Sequence, residues 1–421
     1  MSSFYFIKYE TTFFLLLYFD YAIVIDIKEC EFMKKVCFII PNFFPIPATK
    51  GGAVETLVTN LINVNEKEHL IDFSCVCPYE EKAYEISKSY KYTTMHYIKL
   101  PENTAKLDFS DETVSDNFRI YMDEVYKVLA NKSFDYMVIE GGNYLGYEYL
   151  IQKLPSQKFL LHMHGNVAGD ERLLRNYKFF IAISNYVKNY LTSNKIISPN
   201  FVRVVENGIA IENFTKKVSE DEKDELKEKY NIKKTDCVLM FCGRTVPQKG
   251  IKELILAFKK MKHIDNCKLM IVGNSKFGNE ILTDYDKELI EISKDVSDKI
   301  IFTGFIHNTN LYKIHSIADI SIIPSMWEEP SGLVVMESMA SGLPIITTHS
   351  GGIPELVTNK NAFVLERDEN LIQNMADKLD YLYENPNVRA EMGKESKKHS
   401  VKYSKENFYK NFVNLMDEVD V

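Results

Sequence analysis

No Cys-x-x-Cys pair and no Gly-x-Gly-x-x-Gly run occurs in this chain. The first absence removes the ligand spacing of common zinc sites and dithiol redox motifs. The second removes the dinucleotide-binding fingerprint and disfavours a nicotinamide-dependent dehydrogenase. The seven cysteines (Cys30, Cys37, Cys75, Cys77, Cys237, Cys242 and Cys267) are odd in number and sit mostly in apolar runs. That pattern fits reduced, buried thiols in a cytosol. Positive charge is not in excess: 51 Lys and Arg stand against 59 Asp and Glu, a net charge of −8. A protein that holds nucleic acid by neutralising phosphates is therefore disfavoured. A clean membrane-spanning run is missing as well. Residues 11–27 are mostly apolar, but Asp20 and Asp26 interrupt them, and a charge at bilayer depth is costly. Lys8 followed by Glu10, with no small-x-small site, does not make a signal peptide. Residues 1–32 are expected to be an extension outside the core fold, with a weak membrane anchor as the rival reading.

What is present is the composition of a folded globular protein. The 421 residues are 45% hydrophobic and 26% charged, enough for two or three domains. Short β-branched runs alternate with amphipathic helical stretches from about residue 35 to 370, the mark of βαβ units and parallel sheets. Strands are expected at 35–40, 72–76, 136–139, 159–163, 180–183 and 203–205. A second series is expected at 238–242, 268–272, 300–303, 320–323, 345–347 and 362–365. Each series opens with a strand that runs through a glycine-bearing loop into a helix. Gly51-Gly52 leads to a helix near 53–62, and Gly243-Arg244…Lys249-Gly250 to one near 251–261. Two such openings imply two Rossmann-like domains, 33–207 and 208–400. The charged stretch 216–234 is expected to form a helix capping the second. The tail reads as helices at 369–383, 386–398 and 404–419.

The most informative segment runs from Trp327 to Gly342. It reads Trp-Glu-Glu-Pro-Ser-Gly-Leu-Val-Val-Met-Glu-Ser-Met-Ala-Ser-Gly, and an apolar helical pattern starts after Gly332. A loop entering a helix presents unpaired amides and the positive end of the helix dipole, a site for phosphate. Glu329 precedes that site and Glu337 follows it, and each carboxylate can accept hydrogen bonds from neutral hydroxyls. Hydroxyls on both sides of a phosphate describe a nucleotide sugar. This Glu-x7-Glu spacing resembles the signature of retaining glycosyltransferases of family 4, the large "group 1" glycosyltransferases. Pro330 stands where that family often has Gly, and Ser331 where it often has Phe.

The resemblance spans about residues 33–418 and implies a GT-B architecture: α/β, with two Rossmann-like parallel-sheet domains facing a cleft. A C-terminal helix, 401–421, would cross back onto the first domain through Phe408, Phe412, Leu415 and Met416. It also implies roles. Glu329 would touch the donor sugar, Glu337 the ribose, and the amides of Ser331, Gly332 and Leu333 the diphosphate. Arg244 and Lys249 would neutralise the leaving diphosphate. Gly52 belongs to the glycine loop of the first domain, where a backbone can approach a ligand closely. His164, in His162-Met163-His164-Gly165, would reach the donor sugar from the end of a buried strand, where ligands sit.

Other motifs read more plainly. Two histidines at i, i+2 are also a metal-ligand spacing, but no third ligand is evident in the sequence, so no metal is expected. Asp284-Tyr285-Asp286 matches the Asp-x-Asp of metal-dependent transferases, yet it starts a charged helix, where acids belong anyway. Asn207-Gly208 reads first as a tight turn. Gly351-Gly352-Ile353-Pro354-Glu355 resembles a family turn beside the nucleotide base, followed by a short helix. Residues 88–99 mix Lys with Tyr and His, as a solvated loop and edge strand or as a contact with an acidic membrane surface.

The sequence thus implies a cytoplasmic hexosyltransferase, peripheral to the inner face of the membrane if residues 88–99 touch lipid. Its partners would be a UDP-sugar donor and a glycan, lipid-linked or small-molecule acceptor, with no nucleic acid and no separate cofactor. A sugar-nucleotide epimerase, a phosphorolytic enzyme and a coat protein that keeps the fold without turnover are the alternatives.

Overall fold

The computed structural model describes residues 33–100, 116–141, 144–165, 171–193, 197–274 and 282–419. The expected extension, 1–32, lies outside these apart from the backbone of three short strands, Phe6–Tyr9 (β1), Thr12–Leu15 (β2) and Ile25–Ile27 (β3), in an antiparallel sheet of their own. No helix among the described residues is long and apolar enough to cross a membrane.

The first domain holds strands Lys34–Ile39 (β4), Ile71–Pro78 (β5), Thr93–Ile98 (β6), Tyr136–Glu140 (β7), Phe159–Met163 (β8), Phe179–Ala182 (β9) and Val202–Val204 (β10). They form one parallel sheet in the order β10-β9-β8-β7-β4-β5-β6. β4, β7, β8 and β9 are near-continuous apolar runs buried on both faces, as helices covering a parallel sheet require. The second domain holds Cys237–Cys242 (β11), Cys267–Val272 (β12), Ile300–Gly304 (β13), Ile320–Ile323 (β14), Ile345–Thr348 (β15) and Ala362–Leu365 (β16). Its order is β13-β12-β11-β14-β15-β16. Every strand expected from the sequence is present, and the edge reading of residues 88–99 corresponds to β6.

Both sheets reverse direction of winding at their first strand. β4 lies between β5 and β7, and β11 between β12 and β14. At such a switch point the loops beyond the strand ends splay apart and leave a crevice. The loops after β4, β7 and β8 in one domain, and after β11 and β14 in the other, carry the site residues.

The C-terminal helix, Lys405–Glu418, returns to the first sheet. Phe408, Tyr409, Phe412, Leu415 and Met416 share a core with Val36, Phe38 and Phe73. The Phe412 ring lies 5.6 Å from Phe38 and 6.2 Å from Phe73. Tyr409 donates its hydroxyl to Asn65 Oδ1 at 2.6 Å. Asn207-Gly208 is not the tight turn its residues suggest. A Cβ at Gly208 would meet Ser404 O at 2.6 Å and Phe408 Cβ at 2.5 Å, so glycine is needed there for close packing. The backbone on either side is stitched to the same crossing: Ile209 N donates to Tyr403 O, and Lys405 N to Ile209 O, both at 2.9 Å.

Two helices differ in extent from expectation. The helix after Gly52 runs from Ala53 to Glu68 and ends at His69 in the left-handed conformation. The charged stretch yields only Glu220–Lys229, opened by a capping box between Ser219 and Glu222.

Candidate active site

On the first-domain side, Gly52 caps the helix Ala53–Glu68 with φ of +94°, a conformation that favours glycine. Glu55, in the first turn, is buried, and burial pushes its carboxyl up to about 7. Glu140 ends β7, fully buried, and is the register partner of His162 on β8. Its Oε2 lies 3.0 Å from His162 Nδ1 and 2.7 Å from His164 Nε2. Burial penalises the Glu140 carboxylate, but the two imidazoles outweigh it and hold its pKa down to about 2. Burial lowers the pKa of His164.

The cationic loop of the second domain is locked to the acidic one. Gly250 has φ of +71°, and a Cβ there would meet Pro324 O at 1.9 Å. Met326 N donates to Gln248 O at 2.8 Å. This approach brings Lys249 Nζ onto Glu329 as a part-buried ion pair and over the Trp327 ring, 5.7 Å from its centroid. Ser325 Oγ donates to the same Glu329 oxygen at 2.8 Å. The helix Leu333–Ala340 begins at Gly332 with no side chain capping it, so its first-turn amides are left for a ligand.

These residues meet at two adjoining cavities. The first, about 600 Å³, is lined by His164, Arg244, Lys249, Glu329, Ser331 and Leu333, among others. Gly332 lines it too. The second, about 630 Å³, takes in Gly51, Gly52, Asn274, Ile306 and Glu337. Arg244, Leu333 and Val334 line both and form the wall they share. Burial pushes the Glu337 carboxyl up to about 7. Two buried polar atoms belonging to residues of the first cavity, Asn207 Oδ1 and Ser331 Oγ, have no hydrogen-bond partner among the described residues. Buried polar atoms are normally satisfied, so both mark places for ligand or water.

Residues 222–399 match the family described as "Glycosyl transferases group 1". The second domain thus matches the group 1 glycosyltransferases. Over 317 residues it is 27% identical to the lipopolysaccharide 1,2-N-acetylglucosaminetransferase of Salmonella typhimurium, covering 74% of this chain and 79% of that one. It is 25% identical to the putative glycosyltransferase YtcC of Bacillus subtilis, covering 87% of each. The crystal structure of Anabaena HepE in complex with UDP superposes with a TM-score of 0.70 at 17% identity, over 91% of this chain and all of that one. That likeness carries the GT-B fold.

All nine site residues expected from the sequence of this glycosyltransferase line one or both cavities. One other expectation changes, and two segments read as structural gain defined partners. The pair His162 and His164 does have a third group beside it, Glu140, and the three ligating atoms lie within 4.8 Å of one another. Contacts of 2.7 and 3.0 Å are those of hydrogen bonds to a carboxylate. The Gly351-Gly352 turn packs behind Glu329: a Cβ on Gly351 would meet Glu329 O at 2.1 Å, and Gly352 N donates to that oxygen at 2.7 Å. Glu355 then reaches the first domain, accepting from Asn185 N at 2.8 Å and Tyr186 N at 2.6 Å at the start of the helix Asn185–Ser193. The Asp-x-Asp segment is structural. Asp286 accepts from Thr283 N at 2.8 Å and from Thr245 Oγ1 at 2.6 Å, and Asp284 pairs with Lys287. Glu140 and Ser325, which bond to His164 and Glu329, are residues of the site that sequence reasoning did not single out.

Proposed function

We propose that this glycosyltransferase moves a hexosyl unit from a UDP-sugar to a glycan or lipid-linked acceptor, with retention at the anomeric carbon and without a metal ion. The observation that carries this reading is the convergence of Arg244, Lys249 and the uncapped start of the helix Leu333–Ala340 on one cavity. Two cations and a set of free amides complement a diphosphate, and they act where negative charge develops as the nucleotide leaves. Glu329 and His164 are placed for the sugar, and Glu337, in the adjoining cavity, for the ribose diol. The choice of UDP is supported by the ligand of HepE. Synthesis of cell-surface polysaccharide is supported by the lipopolysaccharide N-acetylglucosaminetransferase.

The reaction breaks the bond between the anomeric carbon and the β-phosphate oxygen and forms the new glycosidic bond on the same face. The acceptor hydroxyl gives its proton to the departing phosphate. Arg244 and Lys249 spread the charge that remains on UDP, the work a metal ion does in other transferases.

A thermal-shift panel of nucleotide sugars, followed by mass spectrometry of products, tests the reading. UDP and one UDP-sugar are expected to raise Tm, by linkage of binding to folding. Product then appears at an undiminished rate in EDTA, and the anomeric coupling of its new linkage matches that of the donor. A chain that no nucleoside diphosphate stabilises would not be this enzyme.

A further inference from the structure

We infer that Glu140 is a positioning residue that fixes the tautomer of His164, so that His164 presents a bare Nδ1 to a hydroxyl of the substrate. This rests on the reading above, in which His164 touches the donor sugar.

Glu140 and His162 are fully or almost fully buried, while His164 is part-buried and lines the first cavity. An ionised carboxylate only accepts hydrogen bonds. Each ring nitrogen facing it must therefore carry the proton: Nδ1 of His162, 3.0 Å away, and Nε2 of His164, 2.7 Å away. The structure is consistent at the far side of the first ring. His162 Nε2 is buried with no partner, which is tolerable for a lone pair and costly for an N–H. The two rings lie with centroids 4.2 Å apart, and burial lowers the pKa of His164 and so favours its neutral form. A neutral imidazole with its proton on Nε2 has its lone pair on Nδ1. No hydrogen bond to that nitrogen forms among the described residues. The ring therefore enters the site as an acceptor, and the sugar or acceptor hydroxyl that meets it must donate. Among the described residues no other group hydrogen-bonds this ring, and a ring can be held in either tautomer by a neighbour of the opposite kind.

Glu140→Gln tests this. Oε2 faces both rings, so an amide that turns its nitrogen to that position makes a facing ring nitrogen give up its proton, and one that keeps its oxygen there sets its NH2 3.2 Å from the His162 Nδ1–H and loosens the hold on both rings. Histidine side chains labelled with 15N report the protonated nitrogen directly by NMR. The expected wild-type spectrum has His164 as the Nε2–H form and His162 protonated at Nδ1. In Glu140→Gln, UDP release from UDP-glucose or UDP-N-acetylglucosamine, whichever the wild type hydrolyses, falls by about 10–100-fold, the usual scale for losing an orienting partner. UDP affinity stays within about twofold, since a uniform structural loss would lower both. His164 protonated on Nδ1 in the wild type, or UDP release unchanged in Glu140→Gln, overturns the inference. If Glu140→Gln does not fold, the wild-type spectrum decides alone. If the wild type binds no UDP, the proposed function fails while the spectrum still decides the tautomer.

Discussion

Lys249 and Glu329 form an ion pair across two loops that are 80 residues apart in the chain, with side chains 22% and 10% exposed. The pair is shielded enough to matter and open enough to be shared with a ligand. Lys249→Ala would leave the Glu329 carboxylate with Ser325 as its remaining donor, and an uncompensated buried charge is expensive. Such a variant is expected to lose stability, by about 1–3 kcal/mol after discounting for exposure. Its affinity for UDP should fall by about 10–100-fold. Glu329→Gln in the same background should restore much of the stability and little of the affinity. Urea unfolding and calorimetry separate the two, and a Lys249→Ala variant as stable as wild type would mean that the pair carries no folding energy.

Arg244 lines both cavities and is proposed to grip the diphosphate. Its removal should act on phosphate, not on the nucleoside. Arg244→Ala is expected to weaken UDP by about 1.5–3 kcal/mol, the range for a charge-assisted hydrogen bond, and to leave uridine binding unchanged. Isothermal titration with the two ligands decides it. Equal loss for both, or for neither, removes Arg244 from the phosphate site.

Glu337 is expected to make UDP binding depend on pH. Burial holds its carboxyl at about 7 against an ordinary value of 4.5. In the proposed pose the ionised form would accept hydrogen bonds from both ribose hydroxyls, so affinity should rise as pH passes upward through 7. Stability runs the other way. A carboxyl whose folded pKa is raised has its stability in full below the unfolded pKa and loses it as pH climbs through 7. Glu337→Gln should therefore raise Tm at pH 8 by about 2–4 °C, change it little at pH 4, and flatten the pH profile of UDP affinity. Glu55, also near 7, is untouched in this comparison. A profile unchanged in Glu337→Gln would assign the pH dependence elsewhere.

How much could be read from sequence follows from how far apart the partners are. Glu329 and Glu337 were legible because one loop and one helix set their spacing. Arg244 and Lys249 were legible because strand, glycine loop and helix follow one another locally. Glu140 was not, since its partners are 22 and 24 residues away on a neighbouring strand and only the register of β7 on β8 joins them. The Gly351-Gly352 turn and the short helix Ile353–Leu356 were legible as structural elements, but their partners were not. Gly351 is required by the backbone of Glu329 and Gly352 by that of Pro330, contacts between loops that no local pattern encodes.

Gly208 makes the same point and gives the last prediction. In sequence, Asn-Gly signals a turn, but the glycine φ here is not in the left-handed region. What excludes a side chain is the start of the C-terminal helix, with Ser404 O and Phe408 Cβ both inside 3 Å of where a Cβ would stand. The obstacle on one side is backbone, so it cannot swing away. Gly208→Ala should push the helix Lys405–Glu418 off the first domain, at a cost of about 1–3 kcal/mol. Phe408 and Phe412 would then lose their places beside Phe38 and Phe73, and limited proteolysis should release the tail faster than in the wild type. Because the same stretch joins the two domains, the effect should reach the cleft: UDP affinity falls although position 208 lines neither cavity. Unchanged protease resistance in Gly208→Ala would show that the crossing has slack the structure does not display, and that Asn207-Gly208 serves only as a linker.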